Sequence, residues 1–161
     1  MSDNLSNSSQ RVQEYLAKSG KDFKVKEFSS STRTAADAAD SIGCEVGQIA
    51  KSLVFQDKKT EELVLVIASG SNRVDTKKIS KSIGMKLKQA KADLVKLKTG
   101  FAIGGIPPVA HAEQLQTILD EDLQQYVEIW AAAGTPHSVF QLTPASLAEL
   151  TNGNWLDLRQ E

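Results

Sequence analysis

The spacing of apolar positions divides the chain into short helices and short strands. Val12, Tyr15 and Leu16 recur at helical spacing, which predicts a first helix capped by Ser8 or Ser9 and ended at Gly20. Phe23, Val25 and Phe28 predict a short strand with Lys24 and Lys26 turned to solvent. Residues 29–33 are a loop by composition, because short hydroxyl side chains compete with secondary structure for backbone hydrogen bonds. Thr34, followed three residues on by Asp37, predicts the start of an alanine-rich helix over residues 35–42, which Gly43 ends. Its alanines would let it approach another element closely.

Val46 and Ile49 predict a helical turn leading into a strand over residues 51–55, and residues 57–61 read as a turn. The run Leu63-Val64-Leu65-Val66-Ile67-Ala68 is the strongest strand signal. An unbroken apolar run of that length belongs in the middle of a sheet, covered on both faces. Gly70-Ser71-Asn72 ends it. Asp75 is placed to cap a helix with Ile79 and Ile83 inside and Lys77, Lys78 and Lys81 outside, closed by Gly84. A short strand over residues 85–87 and a second basic helix around Leu94, Val95 and Leu97 follow, ending before Gly100.

Residues 100–110 are neither helical nor alternating. Gly104 and Gly105 followed by Pro107 and Pro108 predict a loop whose path is specified: glycine removes the Cβ that would hold a ligand away, and proline removes alternative conformations. Leu115 and Ile118 predict a short helix. Strands are expected over residues 126–131 and 138–142, joined through Gly134-Thr135-Pro136-His137. Thr143-Pro144 starts a last helix carrying Leu147 and Leu150 and ending near Gly153. No repeat or interdomain linker is visible. The expectation is an α/β (mixed α+β) chain, with a polar arm over residues 1–9 and one domain over 10–161.

Composition narrows this reading. The chain has 161 residues, 40% hydrophobic and 24% charged, enough to bury a core without staples. Cys44 is the only cysteine, so an internal disulfide is excluded; it is read as a small packing residue, with a reactive thiol as the alternative. The polar start lacks the pattern of a secretory signal, and no apolar run approaches the roughly 20 residues that cross a bilayer. A cytoplasmic location and no membrane partner are expected. The net charge of -1 hides an asymmetry: residues 73–98 carry nine Lys/Arg against two Asp/Glu, and residues 111–161 carry one Arg against eight Asp/Glu. Two amphipathic helices with solvated lysines would account for the basic segment, and so would a phosphate-attracting face.

No zinc-protease, paired-cysteine, nucleophile-elbow, P-loop or dinucleotide-binding motif is present, and no cofactor is implied. His111 and His137 alone do not specify a metal. Lys51 opens an apolar strand. Its ordinary role there is to reach solvent from the sheet edge; its sharper role is to hold a phosphate, a carboxylate or a polarised carbonyl oxygen.

Lys51-Ser52-Leu53-Val54-Phe55, then Gly70-Ser71-Asn72-Arg73-Val74-Asp75-Thr76-Lys77-Lys78, then Thr99-Gly100 and Gly104-Gly105-Ile106-Pro107-Pro108, taken in that order, resemble the YbaK family. This is also called the prolyl-tRNA synthetase associated editing domain family. The resemblance spans about residues 25 to 152. It implies a compact central mixed, partly barrel-like sheet flanked by helices. It also implies hydrolysis of the ester that joins a wrong amino acid to tRNA, with aminoacylated tRNA as partner and an aminoacyl-tRNA synthetase as a second one. Lys51 matches the family's functional lysine, and Gly104 and Pro108 match the ends of its Gly-x-x-x-Pro loop, within which Gly105 falls. The implied catalytic set is Lys51, Gly104 and Gly105. The implied substrate-binding set is Thr34, Ile106, Pro107, Pro108, Gly134 and His137, with Ala133-Gly134 resembling a further pocket-forming segment. Arg73, Lys77 and Lys78 are the candidate tRNA contacts. A free-standing editing protein is expected, acting on a small noncognate amino acid. A noncatalytic module of the same fold that binds tRNA or a small ligand is the alternative. Pro108-Val109-Ala110 departs from the Pro-Phe-Gly common in relatives, which leaves the accepted side chain open.

Overall fold

The computed structural model describes residues 7–20, 22–28 and 34–160. The loop expected at residues 29–33 and the first six residues of the expected arm lie outside them. The first helix, α1 (Asn7–Ala17), begins earlier than predicted and takes in the last residues of that arm. Ser8 and Ser9 are therefore helical residues rather than caps. Ser9 is buried, and its hydroxyl donates to Ser138 Oγ at 2.7 Å, while Val12 and Leu16 bury one helical face.

The remaining elements are β1 (Val25–Glu27), α2 (Ala35–Ile42), β2 (Ile49–Asp57), β3 (Leu63–Ser69), α3 (Thr76–Ile83), β4 (Leu87–Gln89), α4 (Ala92–Thr99), β5 (Gln116–Asp120), β6 (Ile129–Ala132), β7 (Ser138–Leu142), α5 (Pro144–Thr151) and β8 (Asn154–Leu156). Short 3-10 turns at Val46–Gln48 and Glu121–Gln125 precede β2 and follow β5. Local chemistry explains several boundaries. Thr34 Oγ1 accepts from the Asp37 N–H at 3.0 Å, and Asp75 accepts from the N–H groups of Lys77 and Lys78. Thr143 caps α5 with Pro144 in its first turn, and Asn152 rather than Gly153 forms the left-handed end.

The strands form one mixed sheet in the order β1-β7-β6-β2-β3-β5-β8, with β4 also paired to β2. β2 and β3 are antiparallel, whereas β3 with β5, β5 with β8 and β2 with β6 are parallel. β3 is buried along its whole length, as its unbroken apolar run requires. Leu63, Leu65 and Ile67 pack into the larger core with Leu16, Phe101 and Phe140. Val64, Val66 and Ala68 face a second cluster with Ile79 and Leu158.

The predicted helix at Leu115 and Ile118 is instead β5. Leu119 joins Leu65 in one cluster and Ile118 joins Val64 in the other, so adjacent apolar residues serve opposite faces of a covered strand. The strand expected from Tyr126 begins only at Ile129, and the strand expected over residues 85–87 is shifted to Leu87–Gln89. β8 had no sequence signal of its own: three residues gain strand character by pairing with β5. Among the described residues no helix is long and apolar enough to cross a membrane.

Candidate active site

β2 and the loop at 100–110 face one another across a cavity of about 410 Å³. Lys51 and Ser52 come from β2, Gly104 and Ile106 from the loop, Thr34 from the cap of α2, and Trp130 from β6. Four residues expected at the site, Thr34, Lys51, Gly104 and Ile106, thus meet in one place although they are far apart in the chain.

Lys51 is half-buried, and its Nζ donates to the Asn72 carbonyl at 2.7 Å. Burial holds its ammonium below the usual lysine range; Asp120 opposes that shift and Arg73 adds to it. The turn that supplies this carbonyl is itself clamped. Asn72 Nδ2 donates to Asp120 and Asp122, both at 2.8 Å, and the Ser69 N–H donates to Asp120 at 2.9 Å. Asp120 is only 1% exposed. Gly70 starts the turn, and a Cβ there would fall 2.4 Å from the Val46 carbonyl oxygen and 2.7 Å from Ala35 Cβ. Only glycine lets α2 and the turn before β2 approach this closely. Asp120, Asp122 and the side chain of Asn72 escaped the sequence reading because their role depends on β5 lying beside β3.

The loop divides its residues between two tasks. Gly104 has φ 106°, a conformation open to glycine, and presents its backbone to the cavity. Gly105 does not line the cavity. Its N–H donates to Ala102 O at 3.3 Å, its carbonyl accepts from the Gly134 N–H at 2.8 Å, and a Cβ would lie 2.6 Å from the Thr135 backbone. Gly105 and Gly134 therefore seat the loop against the turn before β7. Pro107 and Pro108 are buried, and Pro108 borders a separate cavity of about 180 Å³ beside His111. His111 Nε2 lies 2.7 Å from the Pro107 carbonyl, and burial pushes the ring below the usual histidine range, favouring a neutral ring that donates from Nε2. His137 is exposed in the turn just before β7, where its carbonyl accepts from the Phe28 N–H, and it does not line the main cavity.

Arg73 and Lys77 are exposed. Lys78 Nζ donates to the Arg159 carbonyl at 2.8 Å and lies 3.5 Å from the Asp157 carboxylate, so part of the basic segment holds the acidic C-terminal stretch in place. None of the three lines the main cavity. Cys44 packs beside the cluster of Ala38, Ala39 and Trp130, and burial pushes its thiol up. Among the described residues no three His, Cys, Asp or Glu side chains gather as metal ligands.

A solved structure described as a proposed trans-editing enzyme for prolyl-tRNA synthetase superposes with a TM-score of 0.92 at 47% identity, covering 98% of this chain and 100% of that one. The chain is 35% identical over 130 residues to EbsC of Enterococcus faecalis, a proposed Cys-tRNA(Pro)/Cys-tRNA(Cys) deacylase, covering 78% of this chain and 76% of EbsC. It is 30% identical over 148 residues to the uncharacterised YwhH of Bacillus subtilis, covering 91% and 94%. Residues 29–150 match the aminoacyl-tRNA editing domain, a stretch that holds both walls of the cavity between β2 and the glycine-proline loop, and the chain belongs to that family.

Proposed function

We propose that this protein is a trans-editing hydrolase that cleaves the ester of mischarged aminoacyl-tRNA bearing a small noncognate amino acid. The observation that carries the reading is the convergence of Lys51 and Gly104 on one cavity. At about 410 Å³ it lies toward the lower end of small-molecule sites, roughly 300–1,000 Å³, which suits an aminoacyl group with part of its ribose.

In the reaction, water adds to the ester carbonyl carbon, the bond to the ribose oxygen breaks, and that oxygen leaves protonated. The products are a free amino acid and uncharged tRNA. An ester is already activated, so no side-chain nucleophile is required. The Gly104 backbone orients the carbonyl and stabilises the oxyanion. Lys51 supplies positive potential or holds the terminal phosphate. The free hydroxyl of the terminal ribose takes the proton of the attacking water as it passes its own to the departing ribose oxygen, so that part of the catalyst belongs to the substrate. Gly105, with its N–H engaged by Ala102, serves the shape of the loop in this scheme.

The experiment is deacylation of a panel of alanyl-, cysteinyl- and seryl-tRNA by the purified protein. Turnover of one ester identifies both the reaction and the pocket preference. Binding of the panel without turnover would replace the enzyme with a noncatalytic module of the same fold, and neither binding nor turnover would remove tRNA as partner.

A further inference from the structure

The outer edge of β2 is served by two different strands, and neither covers its middle. β6 pairs at Ile49 and Ala50, and β4 pairs at Phe55, Gln56 and Asp57. Between them, residues 51–54 have a paired strand only on the β3 side.

The alternation of an extended chain determines which backbone groups face the opening. Ile49 O accepts from the Gly70 N–H and the Asp57 N–H donates to Glu62 O, so odd-numbered residues turn their amide and carbonyl toward β3. Val54 O accepts from the Ala90 N–H and the Lys58 N–H donates to Lys86 O, so even-numbered residues turn theirs outward. Ala50 is met there by β6, and Val54 and Gln56 are met by Ala90 and β4. Ser52 is met by neither strand, and it lines the cavity. Its hydroxyl oxygen is also buried without a hydrogen-bond partner. Ser52 is only partly buried, so its outward-facing N–H and C=O are open to a ligand entering the cavity, and its buried hydroxyl is a further polar group without a partner there.

The opening is one residue long and closed at both ends by strands, so it suits one amino-acid unit and not an extended peptide. We infer that the aminoacyl group of the substrate docks across Ser52 as a one-residue antiparallel strand. Its α-ammonium donates to the Ser52 carbonyl, and its ester carbonyl accepts from the Ser52 N–H. This inference rests on the deacylase reading above. It adds that the site recognises the α-amino group through main chain, independently of which side chain is edited.

The test compares the best substrate among alanyl-, cysteinyl- and seryl-tRNA with its des-amino counterpart, the propionyl, 3-mercaptopropionyl or 3-hydroxypropionyl ester. Each rate is divided by the uncatalysed hydrolysis of the same ester. Loss of a charge-assisted hydrogen bond predicts a kcat/KM at least about 10-fold lower for the des-amino ester. Equal kcat/KM would overturn the inference and leave the deacylase reading standing; no turnover of any ester would overturn both. A second measurement addresses Ser52 itself. Ser52→Pro deletes an N–H that does not serve the ladder with β3, so the variant should fold and lose at least about 10-fold in kcat/KM. Unchanged turnover by the folded variant would overturn the inference. If that variant does not fold, amide hydrogen exchange of the wild-type protein decides. The Ser52 amide should exchange faster than those of Leu53 and Phe55, and equal protection would show that no open edge exists.

Discussion

The Lys51 ammonium is held by the main-chain carbonyl of Asn72 at 2.7 Å, so the cation at the cavity is positioned by a turn and not by an acidic partner in direct contact. That turn depends in turn on Asp120, whose carboxylate accepts from the Ser69 N–H, the Asn72 side chain and the Asp122 N–H. Asp120→Ala leaves these donors without their acceptor in a site that is 1% exposed, and should cost about 3 kcal/mol of stability. Asp120→Asn keeps one acceptor oxygen and should fall between the two. Chemical denaturation measures both, and a wild-type midpoint for Asp120→Ala would show that the clamp is dispensable.

Lys51 should be needed for activity and unhelpful for stability. Its folded-state pKa lies below its unfolded value because burial disfavours the charge. The unfolded chain therefore binds more protons between those two values, and this residue's contribution to stability rises with pH across that window, at and below about 10.5. Lys51→Met should melt at or above the wild-type temperature while deacylation falls by about 100-fold or more. The wild-type enzyme should lose affinity for a non-hydrolysable acyl analogue without an α-amino group, whose own titration would otherwise intervene, as pH rises through the lowered lysine value. An affinity that stays constant up to pH 10.5 would argue against a charged Lys51 in binding.

Gly105→Ala tests the seat of the loop. The added Cβ would meet the Thr135 backbone at 2.6 Å, which cannot yield as a flexible side chain can. Overpacking of this kind costs typically about 1–3 kcal/mol, and catalysis should fall because Gly104 is displaced with its neighbour. A variant with wild-type melting and turnover would show that the loop does not depend on this close approach.

Ala110 ends the glycine-proline loop with φ 69°, in the left-handed region that favours glycine. Ala110→Gly should relieve the Cβ strain and raise stability by about 0.5–1 kcal/mol after the greater freedom of glycine in the unfolded chain is counted. A lower denaturation midpoint would show that the Cβ packing of Ala110 outweighs its backbone strain.

Lys77 is exposed on α3, whereas Lys78 is tied to Arg159 and Asp157. If the basic segment receives the RNA backbone, Lys77→Gln should weaken tRNA binding and reduce the slope of log affinity against log salt by about one, without changing the melting temperature. Lys78→Gln should also loosen the C-terminal stretch. An unchanged salt slope for Lys77→Gln would place the RNA elsewhere.

Those features whose cause is local were legible in the amino-acid sequence. Thr34 and Asp75 cap their helices through their own side chains, and the apolar run of β3 demands cover on both faces wherever it sits. The loop at 100–110 announced itself through residues with special backbone behaviour. β5 was misread because two adjacent apolar residues fit a helix face as well as a strand buried on both sides, and only its neighbours β3 and β8 distinguish the two.

The sequence by itself therefore determined the caps, the central strand, the constrained loop and the identity of Lys51 as a candidate. Tertiary structure decided which of the implied site residues share a cavity: Thr34, Lys51, Gly104 and Ile106 do, while Gly105, Gly134 and Pro108 support the loop or turn away from it. The physical reason is range. A cap or a forced φ is settled within a few residues, whereas the Asp120 clamp and the gap at Ser52 exist only because strands distant in sequence lie side by side and β4 and β6 stop short of one another along β2.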